Sequence, residues 1–246
     1  MTEASRGLVR IGAFVPFTNV NLEADMAMLC PPGVSMHFAR LGGYDVDEVP
    51  DEDQMAGLGA SDMTEPLRLL LGVRPDVVMY GCTSATLSHG TVFDRDLAET
   101  IRAQSGALTI TAAGSLIFAL KALGASRIAF ASPYVASLND LAIAFLADAG
   151  FETISRADWP EALGNYGQGE LSPDQVHDLG ARANTDDAEV LVLSCTDMRS
   201  VEAIDRLEDA LGKPVICSNQ AMMFQALKQA DLAPGRRVGT LMRQHL

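Results

Sequence analysis

Short apolar runs and stretches with helical character alternate along the whole chain. The apolar runs are rich in branched side chains and end at glycine, proline or small polar residues, which is typical of buried parallel strands. We predict strands at residues 8–15, 33–38, 76–80, 108–111, 127–131, 152–156, 190–194 and 214–217. Helices are predicted between them, at residues 23–29, 94–104, 112–123, 136–149, 200–211 and 220–229, with further helical regions from 50 to 73 and after 172. This alternation predicts βαβ units, an α/β fold and parallel sheets.

Two of the predicted strands end in nearly the same sequence. The segment DVVMYGCTSAT at residues 76–86 runs into Cys82, and VLVLSCTD at residues 190–197 runs into Cys195, 113 residues later. Each cysteine is followed by a threonine. We interpret the repetition as a duplication with two similar α/β halves and one thiol in each. The first half is predicted to comprise residues 1–113 together with 217–246, since the last strand and helix could return to it, and the second half residues 114–216.

The two repeated cysteines are the candidate catalytic residues. Ligands bind at the carboxyl ends of the strands in open α/β sheets, and amide groups at a strand-to-helix turn stabilise a thiolate. Two thiols on opposite faces of a small substrate allow one to act as nucleophile or base while the other delivers a proton. The alternative, a small buried hydrophobic residue, fits Cys30 and Cys217 better, because neither has the repeated context.

Hydroxyl and amide side chains near the same strand ends are candidate substrate ligands. Thr83, Ser84 and Thr196 are able to donate hydrogen bonds to a carboxylate. Three further candidates are Asn19 after the first strand, Tyr134 after the fifth, and Asn165 in a glycine-rich loop. For these three the alternatives stay open, because asparagine is common in turns and a tyrosine hydroxyl often bonds to the backbone.

Composition narrows the class of protein. The chain has 246 residues, 48% of them hydrophobic, and a formal net charge of −14, which disfavours nucleic acid or an anionic membrane as partner. The four cysteines form no CxxC pair and histidine is scarce, so no metal site is predicted. The N-terminus does not resemble a signal peptide and no apolar run is long enough to cross a bilayer. We therefore expect a cytoplasmic protein with reduced thiols, no cofactor and a small-molecule substrate.

Five segments together resemble the maleate cis–trans isomerase branch of the aspartate/glutamate racemase superfamily, which also contains arylmalonate decarboxylases and hydantoin racemases. The resemblance covers essentially the whole chain, in RIGAFVPFTN at residues 10–19, YGCTSAT at 80–86, ASPYVASLN at 131–139, GNYGQGEL at 164–171 and LSCTDM at 193–198. The pair of cysteines favours the isomerase branch, because an arylmalonate decarboxylase typically has glycine in place of the first. Relatives are also associated with ectoine utilisation.

The resemblance implies a fold, an activity and residue roles. The fold is two pseudo-symmetric parallel-sheet α/β domains with the active site in the cleft between them, and relatives often form homo-oligomers. The activity is cofactor-independent isomerisation of a small unsaturated dicarboxylate, maleate to fumarate. The residue matching the nucleophile is Cys82, and Cys195 matches the residue that supplies and removes a proton. The matches to the substrate ligands are Asn19, Tyr134 and Asn165.

Departures from the family pattern leave the substrate open. Phe17 stands where the isomerases more often have a small hydroxyl residue, and is expected to narrow the pocket or favour a less polar substrate. The segment CTDM resembles racemases as much as isomerases. A two-base racemase of aspartate or a related acid, with Asp197 holding the ammonium group, is therefore an alternative, as is a non-catalytic protein that binds a small ligand.

Overall fold

The computed structural model describes residues 9–42 and 52–246. The start of the helical region predicted from residue 50 lies outside this part of the chain. The strands are β1 (Val9–Pro16), β2 (Val34–Leu41), β3 (Val77–Tyr80), β4 (Leu108–Thr111), β5 (Arg127–Ala131), β6 (Glu152–Ala157), β7 (Val190–Leu193) and β8 (Val215–Cys217).

Twelve helices connect or follow these strands in the described residues. They are α1 (Leu22–Leu29), α2 (Glu52–Gly59), α3 (Thr64–Leu70), α4 (Thr83–Leu87), α5 (Gly90–Ser105), α6 (Ala112–Leu123), α7 (Ala136–Asp148), α8 (Gly167–Glu170), α9 (Pro173–Ala183), α10 (Val201–Leu211), α11 (Ser218–Gln229) and α12 (Gly239–Gln244). The short α4, α8 and α12 were not predicted from the sequence, because none of them is long enough to display a helical period.

The strands form two four-stranded parallel sheets with the same topology. The orders are β2-β1-β3-β4 and β6-β5-β7-β8, and every pairing is parallel. The predicted α/β fold of two similar parallel-sheet halves is therefore confirmed. In each sheet the strand order reverses between the two central strands. These are β1 and β3 in the first sheet, and β5 and β7 in the second. Ligands bind at such switch points, outside the carboxyl ends of the strands.

The last strand does not return to the first half. Strand β8 pairs with β7, with Cys217 opposite Leu193, so it completes the second sheet. Helix α12 also packs there, where Arg243 bonds to Asp205 and to Glu208 of α10 at 2.9 and 2.8 Å. Helix α11 packs against both α1 and α6. The exact boundaries of the two domains remain a prediction.

The two sheets share one hydrophobic core. A single buried cluster contains Ile11 and Met79 from the first sheet, Leu191 from the second, and the methionines Met26 of α1 and Met222 of α11 between them. Strands β3 and β7 are buried along their whole length, as central strands of a sheet covered on both faces should be. The halves are therefore packed firmly enough to fix the relative positions of their strand ends.

Gly81 packs closely against the end of β1, at the switch point of the first sheet. Its N–H donates to the Phe14 carbonyl at 2.9 Å. A Cβ at this position would lie 2.5 Å from the same carbonyl oxygen and 2.4 Å from Leu22 Cδ1. Only glycine allows strand β1 to approach the turn that carries Cys82 so closely.

Replacement of Gly81 by alanine is expected to lower the free energy of unfolding by about 1–3 kcal/mol, because a backbone carbonyl cannot move aside as a side chain can. Urea unfolding followed by circular dichroism measures the change. The matched control is Gly57→Ala in α2, where a Cβ meets nothing within 4 Å, and a gain of about 0.5–1 kcal/mol is expected. An unchanged unfolding midpoint in Gly81→Ala would contradict the packing described here.

Candidate active site

A cavity of about 340 Å³, measured out to its open mouth, lies at the strand ends of both halves. Residues after β1 and β3 form one side of it, and residues after β5 and β7 together with α8 form the other. Its lining consists of Pro16, Thr18, Asn19, Met55, Leu58, Cys82, Ser84, Tyr134, Gln168, Thr196 and Asp197. The cavity therefore brings together five of the eight residues predicted for the site.

Cys82 occupies the turn between β3 and α4. It is the N-cap residue of α4, with extended backbone, and its side chain is only 5% exposed. Burial raises the pKa of the thiol, and hydrogen bonds from the backbone of Ala85 and from Ser84 act in the opposite direction. The resting thiol is therefore protonated, while donors are already in place for the thiolate.

Cys195 occupies the equivalent turn after β7 and is 2% exposed. Its Sγ lies 3.4 Å from the Tyr134 hydroxyl and accepts from the Asp197 N–H at 3.3 Å. Burial, followed by the nearby carboxylate of Asp197, raises the pKa of Cys195 to about 12. A thiol with so high a pKa holds its proton firmly until a stronger base develops beside it.

Tyr134 and Ser84 connect the two thiols. The Tyr134 hydroxyl lies 3.4 Å from Cys195 Sγ, and it is close enough to Ser84 for the Ser84 side chain to lower the pKa of Tyr134. Ser84 Oγ in turn lies 3.7 Å from Cys82 Sγ. Burial and the charge of both neighbouring thiolates raise the pKa of Tyr134 well above its usual value, so its hydroxyl stays protonated and available as a donor.

Thr196 ties the two cysteine turns together. Its Oγ1 donates to the Gly81 carbonyl at 2.9 Å and accepts from Asn19 Nδ2 at 3.1 Å. Asn19 Oδ1 accepts from the N–H groups of Asn21 and Leu22 at 3.1 and 2.9 Å. Asn19 and Thr196 are thus both at the cavity and both held by the scaffold, and their predicted contact with substrate remains a prediction.

Three predicted site residues are not part of the cavity lining. Cys195 reaches the site through its contact with Tyr134. The Thr83 hydroxyl donates to Ser218 Oγ at 2.9 Å, which directs it toward α11. Asn165 is buried, and its carbonyl accepts from Gln168 Nε2 at 2.9 Å. The roles proposed for Thr83 and Asn165 as substrate ligands remain predictions.

Six lining residues were not among the predicted site residues: Pro16, Thr18, Met55, Leu58, Gln168 and Asp197. Gln168 belongs to the glycine-rich segment that carries the family resemblance, so its position was within reach of sequence analysis. Asp197 was considered only as an ammonium ligand of a racemase. Met55 and Leu58 of α2 form an apolar wall, and no local pattern distinguishes them from ordinary core residues. Phe17, which was expected to shape the pocket, is half-buried and is not among the lining residues.

Residues 9–42 and 52–246 contain neither a metal-binding cluster nor a membrane-spanning helix. No group of three or more histidine, cysteine or acidic side chains there is arranged to hold a metal ion. No helix in the described residues is both long and apolar enough to span a membrane.

A second buried carboxyl lies behind the site, on α1. Asp25 is 1% exposed and its Oδ2 accepts from Asn219 Nδ2 at 2.7 Å. The same amide group donates to the Thr196 carbonyl at 2.9 Å. Burial raises the pKa of Asp25 to about 7, and the hydrogen bond from Asn219 only partly offsets it. Through Asn219, Asp25 supports the turn that carries Cys195. The free energy cost of burying its carboxyl group depends on pH.

Replacement of Thr196 by valine is expected to lower the free energy of unfolding by about 1–3 kcal/mol, because the buried Gly81 carbonyl and the Asn19 amide each lose a partner. Thr196→Ser keeps the hydroxyl and serves as the control, with a loss below about 1 kcal/mol. Urea unfolding of the three proteins at one pH compares them. Equal stability of the valine and serine variants would show that the bridge contributes nothing.

Replacement of Asp25 by asparagine is expected to stabilise the protein at alkaline pH. The folded state binds the Asp25 proton more tightly than the unfolded state, so stability falls as pH rises from about 4 to about 7, and the loss is complete above that. The free energy of unfolding of the variant should exceed that of the wild type by up to about 4 kcal/mol at pH 8. This difference should shrink toward pH 4.

Urea unfolding at several pH values measures this dependence. Asp178→Asn, at a side chain 76% exposed, is the control and should follow the wild type. An Asp25→Asn protein that loses stability from pH 4 to 8 in parallel with the wild type would refute the assignment.

Comparison with known proteins agrees with this geometry. A maleate isomerase from Nocardia farcinica is 30% identical over 253 residues, which cover 97% of each chain. The crystal structure of the maleate isomerase Iso from Pseudomonas putida S16 superposes with a TM-score of 0.87 at 28% identity, over 97% of this chain and 99% of that one. A Nocardia farcinica maleate cis–trans isomerase with one cysteine replaced by serine carries a covalently bound succinylcysteine intermediate. It has a TM-score of 0.87 at 25% identity, over 97% and 99% of the two chains.

The family model described as arylmalonate decarboxylase matches residues 57–241, which is most of the chain and includes both cysteine turns. The resemblance identified from the sequence is therefore confirmed. The chain belongs to the arylmalonate decarboxylase family, and within it the chain is similar to maleate isomerases.

Proposed function

We propose that the protein is a cofactor-independent cis–trans isomerase that converts maleate to fumarate. The observation that carries the proposal is the pair of buried thiols, Cys82 and Cys195, joined through Ser84 and Tyr134 at one cavity. The similarity to a maleate isomerase that carries a succinylcysteine intermediate supports it, because such an adduct is what addition of a thiol to maleate produces.

The first step is addition across the double bond. Cys82 first loses its proton to solvent, and its thiolate Sγ then forms a bond to one olefinic carbon. The electron pair of the double bond takes a proton from Cys195 at the other carbon, which leaves Cys195 as a thiolate. The product is a succinyl thioether on Cys82, with a single bond in place of the double bond.

Rotation and elimination complete the reaction. The new carbon–carbon bond rotates, and the Cys195 thiolate removes a proton from the carbon that had been protonated. The electron pair re-forms the double bond as the bond to Cys82 Sγ breaks, and fumarate leaves. The high pKa of Cys195 suits this role, because its thiolate is a strong base.

Polar groups at the cavity hold the substrate and the charge that builds up on its carboxylate during addition. We assign this role to Ser84, Tyr134 and Asn19, which line the cavity, while the Thr196 hydroxyl, which donates to the Gly81 carbonyl, positions Asn19. Thr83 and Asn165 complete the proposed set from just behind it. These donors are preorganised, because the scaffold holds them in place and they need not reorganise as the charge develops.

Racemisation of aspartate or a related acid is the second candidate function. The observation that favours it is the Asp197 carboxyl group at the cavity, a possible partner for a substrate ammonium group. Both cysteines would then act as bases on one carbon. We further propose, as the sequence suggested, that the protein acts in the cytoplasm as a homo-oligomer.

Maleate incubated with the protein in heavy water should give the olefinic signal of fumarate in proton NMR spectra. Cys82→Ser should lower the rate by about a thousandfold or more, because a serine hydroxyl is a much weaker nucleophile. Cys195→Ser should accumulate a Cys82 adduct whose mass exceeds that of the protein by one maleic acid, since the proton that must be removed has lost its base.

The control for both variants is Cys30→Ser, at a half-buried thiol whose Sγ lies 3.5 Å from the Val34 carbonyl and outside the cavity. It should retain the wild-type rate. A near-normal rate in Cys82→Ser sinks the assignment of the nucleophile. Loss of the α-proton signal of L-aspartate in a parallel tube, with no fumarate formed from maleate, would favour the racemase.

A further inference from the structure

An unneutralised carboxyl group lies in the wall of the cavity. Asp197 is 4% exposed, and its Oδ1 accepts from the N–H groups of Val20 and Asn21 at 2.8 and 3.1 Å and from Asn21 Nδ2 at 3.3 Å. Its Oδ2 is buried and has no hydrogen-bond partner in the described residues. Such an orphaned oxygen at a binding cavity calls for an explanation.

Gly169 shows how tightly this carboxyl group is held. A Cβ on Gly169 would lie 2.9 Å from Asp197 Oδ2 and 3.2 Å from its Cγ. Helix α8 therefore packs its backbone directly onto the carboxyl group, and Asn21 Nδ2 bridges to the Gly169 carbonyl at 2.9 Å. The group cannot swing out to solvent to find a counterion.

No lysine, arginine or histidine is among the residues that line the cavity in the described part of the chain. The nearest cation acting on Asp197 is Arg40 of β2. Its guanidinium group is already committed, since Nη2 pairs with Glu23 at 2.7 Å and Nη1 donates to the carbonyls of Pro16 and Asn19.

The described groups whose pKa values Asp197 affects add no positive charge. They are Cys195 on the same turn, Cys82 at the start of α4, and Asp25 on α1. Two of them are thiols with raised pKa values and the third is a carboxyl group. A dicarboxylate in this cavity would therefore meet a fixed negative charge with nothing nearby to balance it.

Two carboxylates that share one buried site cannot both stay ionised. We propose that Asp197 takes up a proton when the dicarboxylate binds, so that the orphaned Oδ2 becomes a hydroxyl group and the cavity wall loses its negative charge. Asp197 thereby links binding of the dianion to the uptake of one proton, because its own charge must be neutralised when the substrate charge enters. This inference rests on the proposed function, since it takes a dicarboxylate as the substrate.

The intrinsic acidity of the group agrees with this role. Burial raises the pKa of Asp197 to about 6, although the hydrogen bonds from Val20 and Asn21 act to lower it. The empty site is therefore mostly ionised at neutral pH, and the nearby substrate charge raises the pKa further. Binding draws a proton from solvent, so affinity falls as pH rises above the pKa of the empty site.

Succinate is the probe, because it has the two carboxylates of the proposed substrate but no double bond to react. Calorimetric titrations at about pH 7 in two buffers of different ionisation enthalpy give the number of protons taken up. The wild type should take up about one proton for each succinate bound. Its Kd should rise about tenfold for each pH unit above the Asp197 pKa.

The principal variant is Asp197→Asn, which keeps an acceptor for Val20 and Asn21 and places an amide donor where Oδ2 lies. It should bind succinate without proton uptake, with a Kd nearly independent of pH and about tenfold lower than that of the wild type near pH 7. Asp25→Asn is the matched control, because Asp25 also titrates near neutral pH but does not line the cavity. It should keep the proton uptake.

Three results would overturn the inference: no proton uptake by the wild type, uptake that persists in Asp197→Asn, or uptake lost in Asp25→Asn. Failure of the wild type to bind succinate at any pH would overturn it as well. If Asp197→Asn does not fold, the wild-type protein alone still tests the inference. Its Kd for the monoanion butyrate should rise much less steeply with pH than its Kd for succinate. Proton-linked succinate binding without conversion of maleate would refute the proposed function alone.

Discussion

The hydrogen bond from the Thr196 hydroxyl to the Gly81 carbonyl holds the two halves of the site in register. It joins the turn that carries Cys195 to the turn that carries Cys82, across a sequence separation of 115 residues. Asn19 adds the third strand end through the same hydroxyl. The positions of both thiols therefore depend on one buried bridge, and the shared core fixes the sheets on either side of it.

Burial of both thiols sets how this site has to operate. Burial raises the pKa values of Cys82 and Cys195, so neither rests as a free thiolate. Both thiols accept hydrogen bonds and both feel the Asp197 carboxylate, but at Cys82 the donors of Ala85 and Ser84 have a larger effect on the pKa than that carboxylate, whereas at Cys195 Asp197 has the largest effect after burial. One turn is thus built to release a proton and the other to hold one, which is how two copies of the same motif acquire different roles.

Sequence patterns predicted the strands and the fold better than they predicted the residues of the cavity wall. The strands, the parallel α/β fold and the pairing of Cys82 with Cys195 follow from local apolar runs and a repeated motif. The sequence left open which sheet the last strand joins, because no local pattern specifies a sheet edge, and the strand pairs with β7. Met55 and Gln168 reach the cavity only through tertiary packing, and the orphaned Asp197 oxygen exists only once α8 covers it.

An acidic protein that binds an acid must neutralise charge locally. With a net charge of −14, the surface field opposes the approach of a dianion, and the described cavity lining offers no basic side chain in return. Hydroxyl and amide donors orient a carboxylate but supply no positive charge. The carboxylate of Asp197 adds a further negative charge. Uptake of a proton by Asp197, as proposed above, removes one of these negative charges within the site itself. Because the proton comes from solvent, charge balance at this site is a property of pH as well as of sequence.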